Sequence, residues 1–249
     1  MRLWTIRAVL TALLCVGLGS AALARETITI GAEDDWYPYG GQIKGEAVGL
    51  GVDLVRASFA AVGIDVKFSS MPYARCLEMV KRGSLLACNE PARTQETEAL
   101  LLWPDAPLFS ARSLIYARAP STESDLVASA LEGKVVAVTN GFEYGSDFDN
   151  NKKIRRQVVT KEISVFRMLA AGRVNYAVAY EKVANWYFKE RAKEFQGKFV
   201  AVGETSITNM YCAFSKDFPG SANYLRKFNE GFAKIQRNGT FREIQNRWQ

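Results

Sequence analysis

Histidine is missing from all 249 residues. Its absence excludes Ser-His-Asp hydrolysis, Cys-His nucleophiles and every histidine-based metal site. Cysteine is nearly missing, with four in the chain at Cys15, Cys76, Cys88 and Cys212. The last three are too widely spaced to read as a metal-ligand set. Beyond the amino terminus no stretch is long and apolar enough to span a bilayer. A block of one charge sign is missing too. Lysine and arginine outnumber the acids 32 to 26, for a formal charge of +6, yet they cluster only at Lys152-Lys153 and Arg155-Arg156. No nucleic-acid module accompanies them, so no nucleic-acid partner is expected, and no cofactor either.

What is present begins with a leader. In residues 1–24, Arg2 and Arg7 form a basic n-region, residues 8–18 an apolar core, and Ala22-Leu23-Ala24 a small-residue cleavage site. Cys15 follows Leu13-Leu14 rather than a small residue, which argues against a lipid anchor. Residues 25–249 are therefore expected to be exported and released into an oxidising compartment. There Cys76 and Cys88 can pair, leaving Cys212 a buried free thiol.

Periodicity supplies the architecture. Residues 27–30 alternate as a strand, and the acidic, aromatic loop Glu33-Asp34-Asp35-Trp36-Tyr37-Pro38-Tyr39 follows. Trp36 and Tyr39 can wall a site by stacking. A helix over 52–62 shows Leu54, Val55, Phe59 and Val62 on one face, and residues 66–68 read as a strand. Pro72 opens a helix over 73–82 that Gly83 closes, and residues 85–88 read as the third strand. This alternation is that of a parallel α/β sheet, where ligands sit at the carboxyl ends of strands. Trp36, Tyr73 and Arg93 all lie near such ends. An extended run over 113–117 precedes a second unit, with strands over 135–138, 176–180 and 199–202 and helices over 163–171 and 183–195. A second extended run covers 209–214. Two α/β units joined by two crossings predict two lobes with a cleft between them. Lobe one takes 25–115 and 209–249, and lobe two takes 116–208. The carboxyl terminus adds a long helix bearing Phe228, Phe232 and Ile235 and a short one bearing Phe241, Ile244 and Trp248.

Chemistry concentrates in residues 89–108. Asn89, Glu90, Arg93 and Thr94 read as a polar turn, in which Pro91 keeps Glu90 out of helical geometry and Thr94 caps the next turn. Orphan N–H groups beside a guanidinium suit an anionic group. Arg93 and Arg75 are the candidates for an anion, and Glu143 or Glu181 for a cation. The turn over 140–145, with Glu143 and Tyr144, again offers free N–H groups.

Trp36-Tyr-Pro-Tyr39, Gly49-Leu-Gly-Val-Asp-Leu54, Leu131-Glu-Gly-Lys-Val-Val-Ala-Val138, Ala171-Gly-Arg-Val-Asn175 and the ending from Phe228 to Trp248 occur in a distinctive order. In that order the chain resembles the family 3 extracellular solute-binding proteins, the periplasmic receptors of polar amino-acid ABC transporters. The resemblance implies an α/β, two-lobed, hinge-bending fold of the type II periplasmic binding protein kind. It implies a non-enzymatic, monomeric periplasmic protein whose partners are a small polar solute and an inner-membrane ABC permease. It also implies that Trp36 forms one wall of the ligand slot. The family's carboxylate-binding arginine falls on Thr97 and its ammonium-binding aspartate on Tyr180, with Glu181 beside it. Pro72-Tyr-Ala-Arg-Cys-Leu77 resembles a subset of these receptors that carries an arginine where Arg93 stands. A catalytic alternative on this scaffold resembles the cyclohexadienyl dehydratases, with Glu143, Glu181 and Arg93 as its acid–base and anchoring groups.

Overall fold

The computed structural model describes residues 25–248; the leader and the Cys15 assignment lie outside the described residues. Strand β1 (Glu26–Glu33) opens the chain. It is followed by a small antiparallel sheet of β2 (Asp35–Trp36), β3 (Gly40–Ile43) and β4 (Glu46–Val48). Helix α1 (Leu50–Ala60) buries Leu54, Val55 and Phe59, and β5 (Ile64–Met71) pairs parallel with β1 along its whole length. Pro72 is the N-cap of α2 (Tyr73–Lys81), where its missing N–H and fixed φ are harmless. Then come β6 (Ala87–Ala92), α3 (Gln95–Glu98), β7 (Leu101–Leu102) and the long β8 (Phe109–Arg118).

After a single 3-10 turn at Ala128–Leu131, the second unit is built from β9 (Val135–Thr139), α4 (Ser146–Asp149), β10 (Arg155–Val159), α5 (Ile163–Ala170), β11 (Tyr176–Tyr180), α6 (Glu181–Glu190) and α7 (Ala192–Phe195). A 17-residue strand, β12 (Phe199–Ser215), carries the chain back. Helices α8 (Ser221–Arg237) and α9 (Thr240–Arg247) finish it, with Phe228, Phe232 and Ile235 buried on one face of α8. The main sheet runs β10-β9-β11-β8-β12-β6-β1-β5, with β7 beside β12. Its two ends are parallel α/β units, and β8 and β12, antiparallel to each other, join them.

Three expectations change. Strand β6 continues through residues 89–92, which the sequence reads as a turn. Its partner explains this: Cys212 faces Asn89 and Met210 faces Ala92, so Glu90 and Pro91 stand opposite Tyr211 alone. That is a β-bulge, and a bulge is where a strand tolerates the missing N–H of a proline. Residues 199–202 and 209–214 belong to one continuous strand. The polar Arg155–Val159 is an edge strand that alternation did not reveal, because charged side chains are what keep such an edge solvated. Cys76 and Cys88 form a disulfide with Cα atoms 5.8 Å apart, stapling α2 to β6, and Cys212 is a buried free thiol.

Candidate functional site

The carboxyl ends of the strands converge where the two units face each other. From the first come Glu33 at the end of β1, Trp36 on β2, Tyr73 opening α2 and Glu90 on β6. From the second come Phe142 and Glu143 in the turn after β9, and Tyr180 at the end of β11. Met210 on β12 completes the wall. The cavity they line is small, about 10 Å³, room for a single water.

Contacts across the cavity hold the units together. The Tyr73 hydroxyl donates to Glu143 Oε1 at 3.0 Å; within the second unit, the Tyr180 hydroxyl donates to the Glu143 carbonyl at 2.5 Å and fixes that turn. Trp36 meets the edge of Tyr180 at 5.0 Å and of Phe142 at 6.2 Å between ring centroids. Away from the cavity, the Tyr187 hydroxyl on α6 donates to Asp35 Oδ1 at 2.7 Å.

The electrostatics are one-sided. No lysine or arginine lines the cavity. Burial pushes the Glu90 carboxyl up to about 8. Burial also lifts Glu143 to about 8, against the opposing hydrogen bond from Tyr73. Glu162, which accepts from the Tyr180 backbone N–H at 3.1 Å, is raised to about 8 by burial. Glu33 is raised well above the carboxylate range by burial and then by Glu90 and Glu162. Charge of one sign in low dielectric is held by proton retention.

Glu90 is built into this position. Its φ is +76°, a left-handed conformation that is costly for a side chain and usual for glycine at a bulge. Its carboxylate lies against Gly51 and Gly40; a Cβ at either would stand 2.1 or 2.4 Å from a carboxylate oxygen. Both carboxylate oxygens lack a hydrogen-bond partner, as do both amide atoms of Asn89 and Nε1 of Trp36.

Beside the cavity lies a wider polar groove of about 1060 Å³, and Phe142 and Glu143 line both. Arg93 and Thr94 belong to the groove. Arg93 pairs with Glu98 at 2.7 Å and lies over Trp103. The Thr94 hydroxyl accepts from the Thr97 N–H at 3.2 Å in a reciprocal cap, and the Thr97 hydroxyl donates to the Ala92 carbonyl at 2.9 Å. Thr97, where the resemblance places an arginine, is thus occupied in fastening a turn.

Of the residues singled out in the sequence, Trp36, Tyr73, Glu90, Glu143 and Tyr180 come together around the cavity. Asn89 is buried beside Glu90, next to Gly51. Tyr39 stacks on Phe109 at 4.6 Å, and Tyr144 accepts from the Thr139 N–H at 3.0 Å, so both serve packing. Arg75 is exposed on α2, and Glu181 reaches Arg112 at 3.4 Å. Glu33, Phe142 and Met210 were not singled out. The alternation of β1 carries the signal for Glu33, the last residue of a strand pointing at the switch point; Phe142 and Met210 show none.

Fold and cavity together define a two-lobed α/β binding protein whose site lies between the lobes. Residues 28–249 match the bacterial extracellular solute-binding proteins, family 3, and the chain belongs to that family. No curated protein sequence matches it. Among solved structures it is similar to a histidine kinase sensor domain with similarity to periplasmic binding proteins, at 22% identity and TM-score 0.78 over 90% of this chain and 96% of that one. An ancestral arginine-binding protein bound to arginine is similar at 22% identity and TM-score 0.76, covering 90% and 98%. The arginine-, lysine-, histidine-binding protein ArtJ from Geobacillus stearothermophilus is similar at 20% identity and TM-score 0.74, covering 90% and 95%.

Proposed function

We propose that the protein is a periplasmic receptor that closes on a small polar solute, an amino acid or a related compound, and presents it to an inner-membrane ABC permease. The observation that carries this reading is a cavity whose walls come from both lobes, so that binding and closure are one event. Lobe one is assigned to residues 25–115 and 209–249 and lobe two to 116–208, with β8 and β12 as the crossings. The arginine-binding proteins among its structural relatives support a solute of amino-acid size. Trp36, Tyr73, Glu90, Glu143 and Tyr180 are the residues assigned to the solute. A binding role is favoured over turnover because two of the three candidate catalytic groups are engaged by other partners: Arg93 is paired with Glu98 and Glu181 with Arg112.

A thermal-shift screen of the purified protein against amino acids, amines, dicarboxylates and aromatic acids tests the receptor reading. Stabilisation by one class, with a fall in radius of gyration in X-ray scattering, is the expected result; no response to any class would sink it. A second reading, a sensing rather than an uptake role, has the similarity to a kinase sensor domain in its favour. A permease that binds the closed protein selectively distinguishes the two.

A further inference from the structure

Resting on the receptor reading, we propose that the inner cavity is a site for a primary ammonium group, with Glu90 as its counter-ion and Trp36, Tyr73, Phe142 and Tyr180 as its aromatic walls. The solute is then an alkylammonium compound whose chain leads past Phe142 and Glu143 into the wider groove.

Glu90 is the central observation. It is 3% exposed, lines the cavity and has no hydrogen-bond partner for either carboxylate oxygen. A buried acceptor of this kind is destabilising until something donates to it. The chain spends further stability on placing it there, through a left-handed backbone at a bulge and two glycines that make room for the carboxylate. Bulges re-aim side chains beside functional sites, and non-glycine residues are kept in such strained conformations where they serve a purpose.

The surroundings select the donor. Glu33 and Glu143 are the other charged groups on the wall, with Cys212 and Tyr39 nearby and Glu162 behind Tyr180, so no protein cation offsets the carboxylates. Once Glu90 ionises, only a cationic group on the ligand can offset its charge, because no lysine or arginine lines the cavity. Aromatic faces attract a cation through their quadrupole. Among the described residues no group of three or more His, Cys, Asp or Glu could hold a metal ion. Because Glu90 and Glu143 hold protons to about 8 when the site is empty, an arriving ammonium displaces them. Phe142 and Glu143 line both spaces, so the chain has one way out, toward the groove that contains Arg93. A diamine and an ω-amino acid share the ammonium and differ in what they place there.

Isothermal titration calorimetry with 1,4-diaminobutane, 4-aminobutanoate, butanoate and succinate tests this, run in two buffers of different ionisation enthalpy at pH 7. The ammonium-bearing probes are expected to bind with proton release, and the two acids without nitrogen to give no heat. Stronger binding of 4-aminobutanoate than of the diamine assigns the second group to a carboxylate, and the reverse assigns it to an amine. Glu90→Gln is expected to weaken binding by about 10- to 100-fold, the weight of a charge-assisted hydrogen bond. Should that variant fail to fold, Glu143→Gln on the opposite wall is expected to weaken binding and remove part of the proton release. Butanoate or succinate binding with affinity unchanged in Glu90→Gln would overturn the ammonium site and leave the receptor intact. Failure of both ammonium probes, when the wider screen finds a ligand of another class, overturns it equally. No response to any solute overturns the receptor reading as well.

Discussion

An ordinary glutamate releases its proton near pH 4.5, whereas Glu90, Glu143 and Glu162 hold theirs to about 8 because the folded chain withdraws them from water. Between those values the folded protein binds more protons than the unfolded one, so stability falls as pH rises through the window. Glu26, Glu132, Glu194 and Glu230, outside the core, are shifted the other way by their hydrogen bonds and act only below pH 4.5. Melting temperature is therefore expected to drop steadily from pH 5 to pH 8. Glu90→Gln should flatten that slope and raise the melting temperature at pH 8; an unchanged slope would show that Glu90 is already charged in the fold. The glycine cradle gives a second residue-scale expectation. Gly51→Ala forces a Cβ onto the Glu90 carboxylate and should cost about 1–3 kcal/mol, as overpacking does. In a Glu90→Gly background the same change should cost far less, a coupling that a double-mutant cycle in urea reads directly.

At the level of elements, strand β6 is held from two sides, by β12 through hydrogen bonds and by α2 through the Cys76–Cys88 bridge. The bridge closes a loop with a sequence separation of 12, for which chain entropy predicts about 3 kcal/mol. Cys76→Ser with Cys88→Ser should lose about that much in chemical denaturation and loosen the strand that presents Glu90. Hydrogen exchange at residues 87–92 would show it. Most elements were legible because each is periodic and punctuated: α2 by Pro72 and Gly83, β11 by its five buried residues. The bulge was not. Pro91 gives a turn signal in the local sequence, and only the pairing with Tyr211, about 120 residues away, turns that signal into an irregular strand. The same distance hid the site's sign. Arg93 is the conspicuous charge of its segment, yet Glu98 neutralises it in the groove, while Glu90 faces the cavity. Trp36 and Tyr73 were legible from the rule that strand ends meet at the switch point, which also pointed to Arg93; Glu143 came from the glycine-flanked turn over 140–145, and Tyr180 only from the family resemblance.

For the whole molecule, closure depends on a few hydrogen bonds between the units and on the packing of Trp36 against Tyr180 and Phe142. The Tyr187–Asp35 bond lies off the cavity wall, so it can be removed without touching the site. Tyr187→Phe is expected to enlarge the open population, increasing the radius of gyration of the unliganded protein in X-ray scattering. It should weaken whichever solute the screen finds by about 10-fold, the range of one hydrogen bond to a charged group. Equal scattering curves for the two proteins would assign closure to the Tyr73 and Tyr180 contacts alone.

The ring contacts across the cavity have an optical consequence. Trp36 and Trp186 each face an aromatic ring from the opposite unit, Tyr180 and Tyr37, while Trp103 and Trp248 contact Tyr211 and Tyr37 within their own. Separating the lobes wets the first pair of indoles and leaves the second pair as they are. The chain thereby contains both a moving fluorophore and its internal standard, so tryptophan emission from the unlabelled protein reports the opening angle as a red-shifted component of fixed fractional amplitude.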